Sequence, residues 1–262
     1  MTSQRFIAMR HKGFSLIEVS VVLVILSLIV GAAISVGNTQ LINGRIKATN
    51  IKQQAIQNAI VNFVARNNRL PCPAIATVVE GSVNYGVEAI NPGVCTGGIR
   101  FGAGSNGNAK GIVPWVTLGL SDAATLDGYL RRFTYQVLRT ETNRDSATIS
   151  GLTGNLELRD AAGGNTVNPN NFAVAMIVSH GENGYGAYLP VTGRRVNLNG
   201  AGVDERENTD NDVIYVKKSY SNALANPFDD QVLALTPSEI KTELNAMGVL
   251  ATTTVVAEQN SR

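Results

Sequence analysis

One uninterrupted apolar run near the N-terminus dominates the hydrophobic pattern of this chain. From Phe14 to Val36 there are 23 residues and a single charge, Glu18. A helix of that length, at about 1.5 Å per residue, matches the roughly 30 Å hydrocarbon core of a bilayer. Basic residues precede the run, at Arg5, Arg10 and Lys12. The pattern predicts a membrane-spanning helix over residues 14–36 whose N-terminus faces the cytoplasm.

The helical pattern continues beyond the apolar run in amphipathic form. Apolar residues recur three and four positions apart from Leu41 to Val64, and polar residues fill the positions between them. This period predicts an amphipathic helix over residues 37–68, continuous with the apolar one and ending near Asn67. Such a stripe more often belongs to a protein's own core than to a partner-binding face, so we expect it to pack against a sheet.

Proline and glycine end the helix and open a long loop. Pro71 and Pro73 flank Cys72, and residues 74–112 carry nine glycines with little periodicity. A loop this long is uncommon in a compact domain unless function or a disulfide supports it. Cys72 and Cys95 are the only cysteines, and in an oxidising compartment the simplest prediction is a disulfide between them. A catalytic thiol is the alternative interpretation.

Short apolar segments in the second half of the chain predict β-strands. Residues 131–139 alternate between apolar and polar side chains, which is typical of a strand with one buried face. Residues 172–178 are all apolar, which predicts a strand buried on both faces. Three more segments are predicted strands, at residues 155–159, 213–216 and 231–235.

A short helix follows the last predicted strand. Thr236 is placed to cap its N-terminus, Pro237 occupies the first helical position and Glu239 completes a capping box. Gly248 stands where a helix C-cap is expected, and we expect the tail after Leu250 to fray.

These elements together predict an α+β fold, in which the long N-terminal helix packs on an antiparallel β-sheet with long loops. Residues 69–262 are expected to form one extracytoplasmic globular domain. The only tryptophan, Trp115, is predicted to be a core anchor beside the helix, and a contact between subunits is the alternative.

Charge and motif content argue against two classes of function. The chain has 22 basic and 20 acidic residues, and three of the basic ones lie in residues 1–13. Without that segment the balance is 19 to 20, so nothing indicates a nucleic-acid-binding surface. His180 is the only histidine outside it, and no nucleophile elbow, zinc-protease motif or phosphate-binding loop accompanies it. We therefore expect no enzymatic activity.

Glu18 is the anomaly of the apolar run. A carboxylate within such a segment is costly and indicates a function that supplies it with a partner. No cation follows it in the run, but a new α-amino group would serve if the chain were cut shortly before it. Gly13, between Lys12 and Phe14, is the obvious place for that cut.

A resemblance to a known family lies in residues 12–18, KGFSLIE, and the apolar run after them. They resemble the prepilin signal of type IV pilins and type II secretion pseudopilins. The resemblance implies that a prepilin peptidase removes leader residues 1–13 by cutting between Gly13 and Phe14, and that the new Phe14 amine is N-methylated. It also implies that Glu18 pairs with the N-terminal amine of a neighbouring subunit during filament assembly.

Two simpler interpretations of the N-terminus fit less well. An ordinary secretory signal has a shorter apolar core and its cleavage site follows that core. A plain signal anchor accounts for the length but gives no reason for Glu18.

The resemblance implies a structural subunit of a type IV pilus or a type II secretion pseudopilus. It implies a bacterial inner-membrane precursor with its C-terminal domain in the periplasm, and three kinds of partner: other pilin or pseudopilin subunits, the prepilin peptidase and the inner-membrane assembly platform. Because 249 residues remain after the leader and the loops are long, we expect a minor subunit. The alternative is a membrane-anchored binding module that recognises DNA, a surface or a secreted substrate.

Acidic and amide side chains in two loops suggest a Ca²⁺ site. Residues 179–184 and 204–212 loosely resemble the calcium-binding loops of the major type II pseudopilin. Hard cations take six to eight oxygen ligands, often on glycine-bearing loops. The expected ligands are Asn183, Asp204, Asp210 and Asp212, and a solvated acidic loop is the alternative.

Overall fold

One long helix begins the described part of the chain. The computed structural model describes residues 13, 15–91, 94–95, 107–142, 149–223 and 225–250, without the side chains of residues 32–38, 90, 91 and 94. Two compact units make up the chain, Met1–Gly44 and Arg45–Arg262. Helix α1, Leu16–Asn67, has 52 residues and lies partly in each unit. Asn68 follows it with a φ of 55°, so the predicted end near Asn67 is confirmed.

The sequence also predicted that the first part of this helix crosses a membrane. Among the described residues, no helix is long and apolar enough to cross a membrane. The spanning helix predicted over residues 14–36 is therefore not confirmed.

Eleven shorter α-helices and β-strands follow α1 in the described residues. The strands are β1 (Ile90–Asn91), β2 (Val94–Cys95), β3 (Asn108–Ile112), β4 (Thr134–Leu138), β5 (Glu157–Arg159), β6 (Ala175–Ser179), β7 (Ile214–Val216) and β8 (Gln231–Leu235). The helices are α2 (Trp115–Leu118), α3 (Val203–Glu207) and α4 (Pro237–Ala246).

Strands β3, β4, β6 and β8 form the main sheet in that order, and every neighbouring pair is antiparallel. The register places Tyr135 of β4 opposite Ile177 of β6, and Ile177 opposite Leu233 of β8. A long N-terminal helix followed by an antiparallel sheet confirms the predicted α+β class.

Two of the predicted strands lie outside the main sheet. Strands β5 and β7 lie within the predicted segments 155–159 and 213–216, but they pair in parallel with each other, with Leu158 opposite Tyr215. Parallel strands need a long connection, and the connection between these two carries β6 and α3. The single antiparallel sheet expected from the sequence is corrected in this respect.

The second half of α1 and the main sheet share the largest core cluster. Ile56, Ile60 and Val64 are buried in one cluster with side chains of β4 and β6. The prediction that the amphipathic stripe packs against a sheet is therefore confirmed for these residues. Leu41 was also placed in the stripe, but its side chain is 64% exposed.

Strand β4 is buried on both faces, which corrects the prediction of one buried face. All five of its residues are buried. The side chain of Gln136 meets a second layer, where Tyr215 Oη donates to its Oε1 at 2.7 Å and its Nε2 donates to the Asp212 carbonyl at 2.9 Å. Alternating polarity indicates an exposed face only where no further polar layer covers that face.

The segment predicted as one long loop contains more structure than expected. Residues 74–112 include the β1–β2 hairpin and strand β3, which lies at the edge of the main sheet. A disulfide joins Cys72 and Cys95, with their Cα atoms 5.4 Å apart, as the sequence predicted. Trp115 is a buried anchor as expected, but it packs with Ile112 and Tyr188 in a cluster that does not include α1.

Helix α4 has the predicted caps. The backbone N–H of Glu239 donates to Thr236 Oγ1 at 3.3 Å, and the Thr236 N–H donates to Glu239 Oε2 at 2.9 Å. Pro237 is the first helical residue, and Gly248 follows the helix with a φ of 72°. The tail predicted to fray, after Leu250, lies outside the described residues.

Candidate functional site

Three carboxylates converge in the globular unit Arg45–Arg262. Glu205 lies on α3, and Asp229 and Asp230 directly precede β8. One carboxylate oxygen from each lies within 4.8 Å of the other two, and among the described residues this is the group that could hold a metal ion. Glu205 and Asp230 are buried and Asp229 is partly buried. We call these three residues the carboxylate triad.

Loop amides hold the triad in place. Glu205 Oε1 accepts from Asn183 Nδ2 at 2.7 Å and from the Asp229 N–H at 3.3 Å. Asp229 Oδ2 accepts from the Asn183 N–H at 2.8 Å. Asp230 Oδ2 accepts from Asn208 Nδ2 at 2.9 Å. The turn at residues 179–184, helix α3 and the start of β8 therefore meet at this point.

His180 borders the triad. Its Nε2 lies 2.8 Å from Thr134 Oγ1, and its Nδ1 lies 3.9 Å from Asp230 Oδ1. Among the described residues, His180 Nδ1, Asp229 Oδ1 and Asp230 Oδ1 are buried atoms with no hydrogen-bond partner. Unpaired buried polar atoms are costly, so these three atoms set the cluster apart from an ordinary hydrogen-bonded core.

Burial dominates the electrostatics of this region. Burial, with the neighbouring Glu205 charge, raises the pKa of Asp229 to about 7, and burial also raises the pKa of Asp230 well above its ordinary value. Burial, with the positive charge of nearby Lys110 acting in the same direction, lowers the pKa of His180 to about 3. The histidine is therefore neutral near pH 7 and gives the carboxylates no positive charge.

Of the four metal ligands predicted from the sequence, Asn183 contacts the triad. Asp204 instead binds Lys218 Nζ, and it also accepts from the Ala162 N–H at 2.7 Å. Asp210 and Asp212 accept from nearby backbone N–H groups in the turn before β7. The three predicted aspartates are thus engaged elsewhere. Sequence reasoning missed Asp229 and Asp230, whose signal was an acidic pair at the start of a strand.

The N-terminal unit presents a different kind of site. Gly13 and Ser15 are exposed, and Phe14 lies outside the described residues. The Ser15 N–H donates to Glu18 Oε2 at 3.3 Å, and the Ile17 N–H donates to Ser15 Oγ at 3.2 Å. Glu18 therefore lies in the first turn of α1, where a negative charge is favourable. Among the ion pairs of the described residues, none includes Glu18.

Apolar side chains surround the first turns of α1. All residues from 15 to 31 are exposed, including large aliphatic side chains on every side of the helix. A contiguous apolar surface of this size marks a region that other molecules cover. A single carboxylate at its start, without a basic partner among the described residues, leaves room for a cation from outside the chain.

A family model for the prokaryotic N-terminal methylation motif matches residues 8–34. The chain carries a prepilin-type signal. This is the signal of type IV pilins and pseudopilins, and it confirms the resemblance drawn from residues 12–18 and the apolar run. No curated protein and no solved structure matches the chain.

The prepilin-type signal narrows the class of function. Precursors with this signal are processed by prepilin peptidases and assemble with other pilin subunits. The signal indicates a structural subunit. It spans Gly13, Phe14 and Glu18, the three residues that the sequence analysis assigned to cleavage, methylation and assembly, and those individual roles stay predictions.

Proposed function

We propose that this chain is a minor subunit of a type IV pilus or of a type II secretion pseudopilus. In this proposal a prepilin peptidase cuts after Gly13, the Phe14 amine is N-methylated, and the mature chain enters a filament through α1. The prepilin-type signal at residues 8–34, which leads into an exposed apolar helix, carries the proposal. The precursor is anchored in the bacterial inner membrane, and an assembly platform in that membrane receives it.

Charge pairing gives the N-terminal helix its place in the filament. An apolar filament core is a poor environment for an isolated carboxylate, and an unpaired buried charge costs several kcal/mol, about 3–5 when one partner is removed. The Phe14 amine of a neighbouring subunit neutralises Glu18 and fixes the axial register. Without that amine, the Glu18 carboxylate opposes entry into the core.

Two observations support a periplasmic location and a minor role. The Cys72–Cys95 disulfide is typical of an oxidising compartment such as the periplasm. The mature chain of 249 residues, after removal of 13 from 262, has long connections between its elements, which suit a subunit used rarely. A purified filament in which this chain is the dominant component would contradict the minor role.

Incorporation into filaments tests the proposal. Glu18→Ala should leave the precursor processed but reduce its amount in the sheared filament fraction on the order of tenfold or more, because the amine loses its partner. Ser20→Ala is the matched control, since Ser20 lies two positions along the same exposed part of α1. Equal incorporation of Glu18→Ala and Ser20→Ala would refute the charge pairing.

A second outcome separates the proposal from a membrane-anchored binding module. A binding module would recognise its ligand through the globular unit without any filament. If the wild-type chain is never found in a filament fraction, and its processing is intact, the filament role fails and the binding module becomes the better hypothesis.

A further inference from the structure

A small cavity of the globular unit is bordered by positive charge. It measures about 10 Å³, and the side chains that bear on its chemistry are Lys110, Thr134, His180, Arg195 and Thr209. Among the described residues, no aspartate or glutamate lines it. A space of this volume holds about one particle of the size of water, so a polyatomic anion such as phosphate does not fit. We call this space the Lys110 cavity.

Lys110 is buried without a counter-charge. It is 5% exposed, and no ion pair of the described residues includes it. Its Nζ donates to two backbone carbonyls, that of Asp210 at 2.6 Å and that of Asn208 at 3.4 Å. The Tyr215 ring centre, 5.1 Å from Nζ, attracts the charge without neutralising it. An ammonium group has three N–H donors, and buried charges are usually paired, so one donor and the net charge are left unmatched.

Arg195 brings a second positive charge to the same cavity. Its Nε donates to the Gly186 carbonyl at 3.1 Å, and its Nη2 donates to the Thr209 carbonyl. Gly186 permits this close packing, because a Cβ there would lie 2.3 Å from Thr209 Cγ2. No ion pair found in the described part of the chain includes Arg195. A guanidinium group stays charged in proteins, so carbonyl groups hold this one in place while no carboxylate neutralises it.

The electrostatics of the neighbouring groups show the same excess of positive charge. Burial lowers the pKa of Lys110 to about 7, and the Arg195 charge acts in the same direction while the Asp210 charge opposes it. The pKa of His180 is lowered to about 3 by burial and by nearby positive charges, that of Lys110 first. A partly enclosed space with one sign of charge around it attracts the opposite ion. The Lys110 cavity is therefore suited to a small anion.

We propose that the Lys110 cavity binds one chloride ion. Chloride is a single atom, so it suits the size of the cavity, and its charge compensates those of Lys110 and Arg195. A water molecule would fill the same space but would leave both cations uncompensated. Arg195 is exposed as a residue, which gives a small ion a route from the surface. The bound ion would tie strand β3, which carries Lys110, to the loop that carries Arg195.

Thermal unfolding of the full chain in detergent tests the site. The chain is first exchanged into sodium gluconate, whose anion is too large for the cavity. Sodium chloride then replaces the gluconate at constant ionic strength and at pH 6, where Lys110 is mostly protonated. The unfolding temperature should rise and level off, by about 3–6 °C once chloride reaches ten times its dissociation constant, because a ligand of the folded state stabilises that state. Sodium bromide should give a similar rise, and its anomalous X-ray scattering in crystals should place the ion beside Lys110.

Two adjacent arginines provide a matched pair of variants. Arg195 lines the cavity, whereas Arg194 is exposed and does not line it. Arg195→Gln should weaken the chloride affinity at least about tenfold, because it removes a unit charge next to the ion. Arg194→Gln should keep the affinity of the wild-type chain.

Lys110→Met separates lost binding from lost folding, because the effect of chloride is measured within one variant. Its unfolding temperature should be the same in chloride and in gluconate, whatever its value. Equal unfolding temperatures of the wild-type chain in the two salts would mean that the cavity holds only water, and would overturn the proposal. A chloride response of Lys110→Met equal to that of wild type would overturn it as well, since the ion would then bind elsewhere.

Discussion

Helix α1 carries the same residue type in two opposite environments. Ile25, in the unit Met1–Gly44, is 51% exposed, whereas Ile60, in the unit Arg45–Arg262, is fully buried. Both residues are helical, so the helix is present in both environments. The difference is that Ile60 meets apolar side chains from its own chain. The presence of the helix therefore does not imply that its apolar side chains are buried.

Polar residues show the reverse contrast. Glu18 lies exposed in an apolar segment, while the globular unit buries charged and amide side chains and gives them partners. Arg132, for example, lies 4.0 Å from the ring centre of Trp115 and also pairs with Asp122. The globular unit thus supplies partners to many of its buried polar side chains from its own chain. In the proposed function, other molecules supply the partners of the N-terminal segment.

The largest expected effect compares the two isoleucines directly. Ile60→Ala should lower the free energy of unfolding of the globular unit by about 2–5 kcal/mol, because it leaves a cavity in the main core. Ile25→Ala, the matched control, should change it by no more than about 0.5 kcal/mol. Urea unfolding of the full chain in detergent, followed by Trp115 fluorescence, measures both. Similar losses for the two variants would remove the contrast between the two parts of α1.

Removing the disulfide should affect the stability of the globular unit and leave the N-terminal segment unaffected. Cys72 and Cys95 are 23 residues apart in the chain, and their disulfide closes this loop. Because the closed loop restricts the unfolded chain, replacing both cysteines by alanine should lower the free energy of unfolding by about 3 kcal/mol. Processing of the N-terminal signal should be unchanged, since no cysteine lies near it. Wild-type protein unfolded under reducing conditions should match the double variant. A variant as stable as the oxidised wild type would contradict the expected role of the bond.

The smallest effect concerns a buried lysine of the globular unit. Lys110 Nζ donates to the Asp210 carbonyl at 2.6 Å, and burial lowers its pKa from 10.5 to about 7. Between these values the unfolded chain binds a proton that the folded chain does not. The contribution of Lys110 to the free energy of unfolding should therefore rise with pH from about 7 to 9, by up to about 1.4 kcal/mol per pH unit.

Two lysine variants isolate that slope. Lys110→Met should flatten it, whereas Lys47→Met, at an exposed position of α1, should leave it as in wild type. Urea unfolding at several pH values measures the slopes. Equal slopes in the two variants would assign the pH dependence to other groups.

The sequence was informative wherever a signal was local. The caps of α4 depend on Thr236 and Glu239, three residues apart, and the end of α1 precedes Pro71 closely in the chain. The cysteine pair was predictable because no other cysteine competes. The prepilin-type signal was predictable because all of its residues are contiguous.

The sequence was least informative where contacts join distant segments. Gln136 alternates with apolar neighbours as an exposed residue would, and only its hydrogen bond to Tyr215, 79 residues away, shows that it is covered. The carboxylate triad joins Glu205 to Asp229, 24 residues later, so a search of one acidic loop found the wrong aspartates. Neither pairing has a local signal, because the first depends on where the fold places β7 and the second on where it places α3 and the start of β8.

The intact mass and N-terminal sequence of the membrane-extracted protein, with and without a co-expressed prepilin peptidase, test the central claim most directly. We predict a mature chain that begins at N-methylated Phe14 when the peptidase is present, and the full precursor when it is absent. A chain that still begins at Met1 with the peptidase present, or that is cut at another residue, would contradict the proposal that this protein enters a filament through the pilin pathway.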